Sequence, residues 1–349
     1  MRTIILDLFP SIWVENGIAT LAGLHDMASE SPFDNVRFPE LHELPFKKGN
    51  PEGSIWGFYE EISGETKPDE LGSLNLLTPR RILRAKEEIQ IGKVCSLNWT
   101  LQKPKPAGYQ RMGLQHRVFK WPHGYIYDDE IHMNTQCGTQ LDGQFYNGLS
   151  IKDLQDEDGN LMQPPEDKPI PNGIHAFQGK IVGRGVLLDY YDYAESKGIS
   201  YNINDQHLIT AEDLNGCIEA QGVALEPGDI LIVRMGYVKW YEHASQEERM
   251  NILKGPTKAV GIRQGMEEVK WLWDHHFSVV ACDAPAFEVR PRVADWDLHD
   301  YLLALWGTPI GELFDLEELS QICKELGRYT FFVTCSPLNI FNGIASPPK

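Results

Sequence analysis

Short unbroken apolar runs alternate along the chain with segments in which apolar positions recur at helical spacing. Lys180–Asp189, Pro227–Arg234, Ser278–Cys282 and Tyr329–Cys335 read as buried strands, the second entered through a Pro-Gly-Asp turn. Lys93–Trp99 reads as a further strand. Between them lie the predicted helices. Thr78 is an N-cap with Pro79 at the first helical position, so a helix runs over Arg80–Gln90 and is closed by Gly92. Thr210-x-x-Asp213 caps a helix to about Gln221, and Ser245 opens a short one. A longer helix, Arg263–His275, carries Met266, Val269 and Leu272 on one stripe. Two more cover Leu298–Trp306 and Asp315–Leu326. Residues 101–130 read as irregular, and 152–173, rich in proline and acid, as a polar surface loop.

Strands that alternate with helices predict an α/β class. No internal repeat is visible. Residues 1–55 read as a partly irregular N-terminal extension and 56–349 as a single domain.

Charge narrows the partners. A net charge of −18 excludes nucleic acid and anionic membrane surfaces, which would repel the chain. No apolar run is long enough to span a bilayer. The six cysteines form no Cys-x-x-Cys pair, which predicts reduced thiols rather than a disulfide framework or a zinc site. Met1–Val14 is apolar but is interrupted by Asp7 and Pro10, so a cytoplasmic location is expected over a secretory one.

The candidate chemistry lies in Asn134–Gly148, where amide, carboxylate and phenol side chains crowd one short run. Gln136, Gln140 and Asp142 stand at i, i+4 and i+6, and Gly138, Gly143 and Gly148 let the backbone bend or approach a ligand. A polar surface loop would have the same composition.

The spacing resembles the His-x-Gly-Thr-His-x-Asp-x-Pro-x-His loop of the cyclase family, which includes kynurenine formamidases and isatin-hydrolase-like enzymes. Gly138, Thr139 and Asp142 match it. Its first two histidines are replaced by Gln136 and Gln140, and the third falls on Tyr146 in an ungapped reading. Further similarity to the family's larger fungal and bacterial branch lies in Leu71–Pro79, Ser96–Trp99, Gly183–Asp189, Pro227–Arg234, Asp283–Pro285 and Pro309–Glu318. The resemblance implies a swivelling α/β/β fold, with a mixed, barrel-like sheet wrapped by helices, usually built as a homodimer or larger homo-oligomer. It also carries the family's metal-facing histidine and glutamate onto His299 and Glu312. In the family these residues and the loop aspartate serve a catalytic zinc or manganese.

Most of the imidazoles are missing here, and an amide is a poor substitute for imidazole on zinc. No cofactor is therefore expected. Zinc or manganese on Asp142, Glu312 and His299 is the alternative. Without a cation, two neighbouring carboxylates raise one pKa of the pair and offer both a proton donor and an acceptor. Asp142, Glu312 and His299 are thus the candidate catalytic residues. Gln136, Gln140, Tyr146, Trp99 and Phe145 are the candidate contacts to a small aromatic or polyketide-like substrate. The expected activity is cyclisation, isomerisation or dehydration in secondary metabolism. A metal-dependent amide or lactone hydrolase and a non-catalytic ligand-binding relative are the competing readings. Each residue also has a plainer role open to it: Asp142 as a loop-closing acceptor, Glu312 and His299 as structural partners, the tryptophans as core.

Overall fold

The computed structural model describes residues 30–122, 124–143, 171–252 and 258–348. Eleven strands are described: β1 Gln115–Lys120, β2 Tyr127–His132, β3 Gln140–Asp142, β4 Ile181–Asp189, β5 Leu208–Ile209, β6 Ile230–Arg234, β7 Gly261–Ile262, β8 Val279–Cys282, β9 Ile310–Glu312, β10 Thr330–Cys335 and β11 Ala345–Ser346. Seven of them form one mixed sheet in the order β10-β4-β6-β8-β9-β3-β11. Its centre, β4-β6-β8-β9, is parallel, and the flanking pairs are antiparallel.

The apolar runs form central strands because both faces of the sheet are covered. Alternation sends Val186, Leu188, Leu231, Val233, Val280, Cys282 and Ile310 into one buried cluster. Leu141, Leu187, Ile230, Ile232, Val279 and Ala281 enter a second cluster on the other face. Phe33, Leu44 and Ile55 are buried in the first cluster, beside Phe58 and Tyr59.

The helices are α1 Phe58–Ser63, α2 Pro79–Ala85, α3 Tyr190–Ser196, α4 Ala211–Gln221, α5 Tyr237–His243, α6 Gln246–Asn251, α7 Met266–His275 and α8 Glu317–Leu326. Thr210 and Asp213 form a reciprocal capping box on α4, and Ser245 and Glu248 do the same on α6. Thr78 caps α2 with Pro79 at its first turn.

Several expectations need correction. Lys93–Trp99 is not a strand; its ladder pairing is limited to an isolated bridge from Asn98 to Phe314. Residues 101–130 are not wholly irregular, since they contain β1 and the start of β2, an antiparallel hairpin. The helix read over Arg80–Gln90 ends as α-helix at Ala85 and tightens to a 3₁₀ turn at Lys86–Glu88. Met266 is 53% exposed, so the buried stripe of α7 runs through Val269 and Leu272 without it. Asp300–Leu305, within the helix read over Leu298–Trp306, is wound as a π-helix. The surface loop read over 152–173 lies outside the described residues as far as 170. All six cysteines are free. No helix among the described residues is long and apolar enough to cross a membrane.

Candidate active site

Four segments that are remote in sequence converge on the face of the sheet that carries the first cluster. β3 pairs antiparallel with β9 so that Gln140 faces Glu312 directly. Residues two apart on a strand share a face, so Asp142 stands beside Gln140 on the same side. Gly311, the residue between, must be glycine: a Cβ there would lie 2.8 Å from the Ala281 Cβ and closer still to the Phe314 ring. Thr139 ties the strand in place. Its hydroxyl donates to the Leu313 carbonyl at 2.6 Å and accepts from the Trp99 backbone N–H at 2.8 Å. Leu313 itself turns through a left-handed conformation, φ +56°, directly after Glu312.

Asp142, His299 and Glu312 are buried, and each offers an atom within 4.8 Å of those of the other two. Asp142 Oδ1 accepts from Gln136 Nε2 at 2.8 Å. Gln140 Nε2 donates to Glu312 Oε2 at 2.7 Å and leans toward Asp142 Oδ2 at 3.4 Å. The orientation of the Gln140 amide is fixed by its other end, because Arg111 Nη1 donates to Gln140 Oε1 at 3.1 Å. The same guanidinium nitrogen donates to the Gln136 carbonyl at 2.8 Å. The two glutamines therefore present N–H groups to the carboxylates, as a cation would present charge.

On the other side, His299 Nε2 is 3.4 Å from Glu312 Oε1, which also accepts from the Phe287 backbone N–H at 3.1 Å. The far nitrogen, Nδ1, lies 2.7 and 2.8 Å from the two oxygens of Glu288. Glu288 is fully buried and is also held by Arg290, which reaches Asp297 with its other arm.

These contacts set the protonation pattern. Burial and the neighbouring Glu312 push the Asp142 carboxyl up to about 7, against the opposing pull of His299, Gln136 and Arg111. Burial alone would discharge His299, but Glu288 and Glu312 outweigh it and hold the ring as imidazolium well above its ordinary range. Burial likewise opposes ionisation of Glu288, and the His299 and Arg290 charges outweigh it, so its carboxyl stays below the usual range. The phenol of Tyr109 is pushed up to about 12 by burial and by Glu312, with Glu288 adding to them against Arg290 and Arg111. It remains a proton-bearing donor beside the acids.

Charge balance follows. Asp142, Glu288, Asp297 and Glu312 face Arg111, Arg290 and His299. With Asp142 protonated, the three remaining carboxylates match the three cations. The zinc or manganese that the resemblance implies would find three atoms close enough and of suitable type. A cation bound through the His299 ring would take that ring neutral and would compete with the hydrogen bonds from the Gln136 and Gln140 amides to Asp142 and Glu312. Asp142, His299 and Glu312 are thus a possible buried metal site.

Of the other predicted contacts, Trp99 is buried, its indole donating to Glu242 at 2.8 Å and its ring packed edge-on against Tyr241. Phe145 and Tyr146 lie outside the described residues. Cys137 is buried, which pushes its thiol up and away from thiolate. A cavity of about 280 Å³ lined by Trp56, Glu60, Asp69 and Trp306 contains none of the candidate catalytic side chains.

Sequence reasoning missed Arg111, Tyr109, Glu288 and Arg290. Glu288 left a signal: an acid set in the otherwise apolar run Ala284–Val289, two residues before an arginine. Tyr109 and Gln110 left none, although both take left-handed backbone, φ +55° and +57°.

With this geometry in view, the pattern of the family described as putative cyclase matches residues 98–289. No curated protein matches the chain. A solved structure described as a novel cyclase is 29% identical, with a TM-score of 0.68, covering 80% of this chain and 92% of that one. Isatin hydrolase A from Labrenzia aggregata, solved with benzyl benzoate, is 17% identical with a TM-score of 0.54, over 76% of this chain and 96% of its own. Isatin hydrolase A from Ralstonia solanacearum is 16% identical with a TM-score of 0.53, over 78% and 96%. The two hydrolases share the fold.

Proposed function

The chain belongs to the cyclase family, and from that premise we propose that it is a small-molecule enzyme working by metal-independent acid–base chemistry at Asp142, Glu312 and His299. One observation carries this reading. The Gln140 amide is held nitrogen-inward by Arg111, so that its N–H bridges the two carboxylates where a cation would otherwise sit.

The group roles follow from the protonation pattern. Asp142, poised near 7, accepts a proton from a carbon next to a carbonyl. The His299 imidazolium, anchored by Glu288, supplies a proton to the carbonyl oxygen, and the amide N–H groups steady the enol that forms. Return of a proton at another carbon completes an isomerisation. Loss of a hydroxyl from the next carbon, with the proton held on Asp142, gives water and a dehydration. Attack by the enol carbon on a second carbonyl of the same molecule closes a ring: that C=O π bond breaks and its oxygen takes the Asp142 proton. In both cases the enol proton returns to His299. The reading includes a role in secondary metabolism, an aromatic or polyketide-like substrate and a cytoplasmic location.

A second reading, a metal-dependent amide or lactone hydrolase, is favoured by the closeness of the three ligand atoms and by the Glu288 anchor on His299. That anchor is a common arrangement behind a metal-binding imidazole. Elemental analysis of the purified chain separates the two. The acid–base reading expects less than stoichiometric transition metal and turnover that survives chelator. One tightly held ion per chain, with activity lost on its removal, establishes the hydrolase instead.

A further inference from the structure

The cavity set apart from the candidate active site is walled by aromatic rings and acids. Trp56, Tyr59 and Trp306 line it, and Glu60 and Asp69 give it charge. No described residue of the wall is basic. Lys47, which lies against Gly57, brings its ammonium to 3.9 Å from Glu61 instead. At about 280 Å³ the cavity stands at the small end of ligand sites, which begin near roughly 300 Å³.

Its polar groups are unevenly used. Asp69 Oδ2 accepts from the backbone N–H groups of Leu71 at 3.2 Å and Gly72 at 2.5 Å, and Oδ1 accepts from Asn75 Nδ2 at 2.7 Å. Glu60 Oε1 accepts from the Asp69 backbone N–H at 3.0 Å, while Oε2 accepts from no described residue. Tyr59 is 6% exposed, yet its hydroxyl has no hydrogen-bond partner among the described residues. Burial and the Asp69 carboxylate both raise its pKa, which sets the phenol on the Asp69 side. A buried hydroxyl without a partner is costly, and it marks a place where a bound group completes it.

We propose that this cavity is a second ligand site, which takes a small organic cation: a primary ammonium on a short aromatic or alkyl body. An ammonium has three N–H donors. Glu60 Oε2 and the Tyr59 oxygen are the acceptors left for them, with the Asp69 charge beside. The two indole faces favour the same charge, because a ring quadrupole attracts a cation. The apolar body then rests on Ile55 and Leu303. An anion would meet two acids and the negative faces of the rings. A neutral ring would leave the Glu60 charge enclosed and unmatched.

The wall is tied to a distinctive piece of backbone. Leu303 and Ala304 belong to the π-helical turn Asp300–Leu305, a winding found mostly at functional sites. Trp56 fastens that turn, its indole donating to the Ala304 carbonyl at 2.7 Å. The inference does not rest on the acid–base reading, since no candidate catalytic side chain lines the cavity.

Isothermal titration calorimetry of the full chain with phenethylamine tests the site, at about 0.15 M salt to screen the general attraction of an acidic protein. Phenethyl alcohol is the neutral isostere. One amine per chain is expected, with a dissociation constant of about 1 mM or tighter. The alcohol should bind at least about tenfold more weakly. Glu60→Gln keeps an acceptor for the Asp69 N–H and should weaken the amine about tenfold. Trp56→Ala reports independently of the acids and should weaken it about threefold or more. Asp142→Asn, in the candidate active site, should leave the amine affinity unchanged. Absence of saturable binding overturns the proposal. Equal binding of the alcohol overturns it too, since the cavity is then only an apolar void. So does binding that is lost in Asp142→Asn and kept in Glu60→Gln and Trp56→Ala, which puts the amine among the catalytic acids.

Discussion

Gln140 Nε2 lies 2.7 Å from Glu312 Oε2, across a rung of the β3–β9 ladder, with the amide oxygen turned away toward Arg111. The group at this position decides what the pocket can hold. An amide N–H there is a donor to the acids and a poor neighbour for a cation.

Replacing Gln140 by histidine should reverse that preference. The imidazole removes the bridging N–H and adds a strong nitrogen ligand beside Asp142, His299 and Glu312. Calorimetric titration with zinc should show weak binding by the native chain and roughly stoichiometric, at least tenfold tighter binding by Gln140→His.

Asp142→Asn should cost activity and gain stability. Loss of the acid–base group lowers kcat by about 10²–10⁴. The stability effect runs the other way because the folded-state pKa, about 7, is raised above the ordinary 3.8. The folded protein then binds more protons than the unfolded chain between those values, so stability falls as pH rises through that window. Above pH 7 the asparagine variant should be more stable by a few kcal/mol, because each tenfold change in acidity is worth about 1.4 kcal/mol. Asp283, also pushed by burial to about 7, slopes the curve in the same direction, so the comparison is the difference between native and variant in urea unfolding at pH 5 and 8.

Glu288→Gln should destabilise the fold and lower the His299 pKa. Breaking one side of a buried ion pair costs about 3–5 kcal/mol. A raised histidine pKa gives stability that is complete below the unfolded value of 6.5 and is lost as pH rises through the folded value. The gap between native and variant should therefore be widest below pH 6.5 and narrow in alkali. Unfolding across that range measures the gap, and the histidine ring signals in NMR report the shift directly.

Tyr109→Phe removes a hydroxyl that donates to no other group among the described residues. Folding should be unaffected, and kcat/KM should drop about 2- to 10-fold, the worth of one hydrogen bond.

The central strands and most capped helices were legible in the sequence because burial on both faces and side-chain caps leave local signatures. Ile230–Arg234 is all apolar until its last residue, and Thr210-x-x-Asp213 is a cap in itself. β3 and β9 were not legible as strands: each is three residues long, and their functional positions are polar. The hairpin escaped because its exposed faces impose no alternation of apolar residues. Lys93–Trp99 has strand-like composition but pairs only at Asn98, in an isolated bridge to Phe314. In the site, the loop spacing led to Asp142, Gln136 and Gln140, and the resemblance led to His299 and Glu312. The supports behind them, Glu288 and Arg111, act through tertiary contacts that no local spacing encodes.

The β3–β9 pairing also bears on how such a pocket changes over time. Backbone hydrogen bonds, not the side chains they display, fix the separation of positions 140 and 312. Exchange at position 140 can accordingly swap one reactivity for another in a single mutational step, with the scaffold indifferent to the outcome. A shift of one residue anywhere in β3 would instead turn Gln140 and Asp142 to the opposite face and extinguish every variant of the chemistry at once.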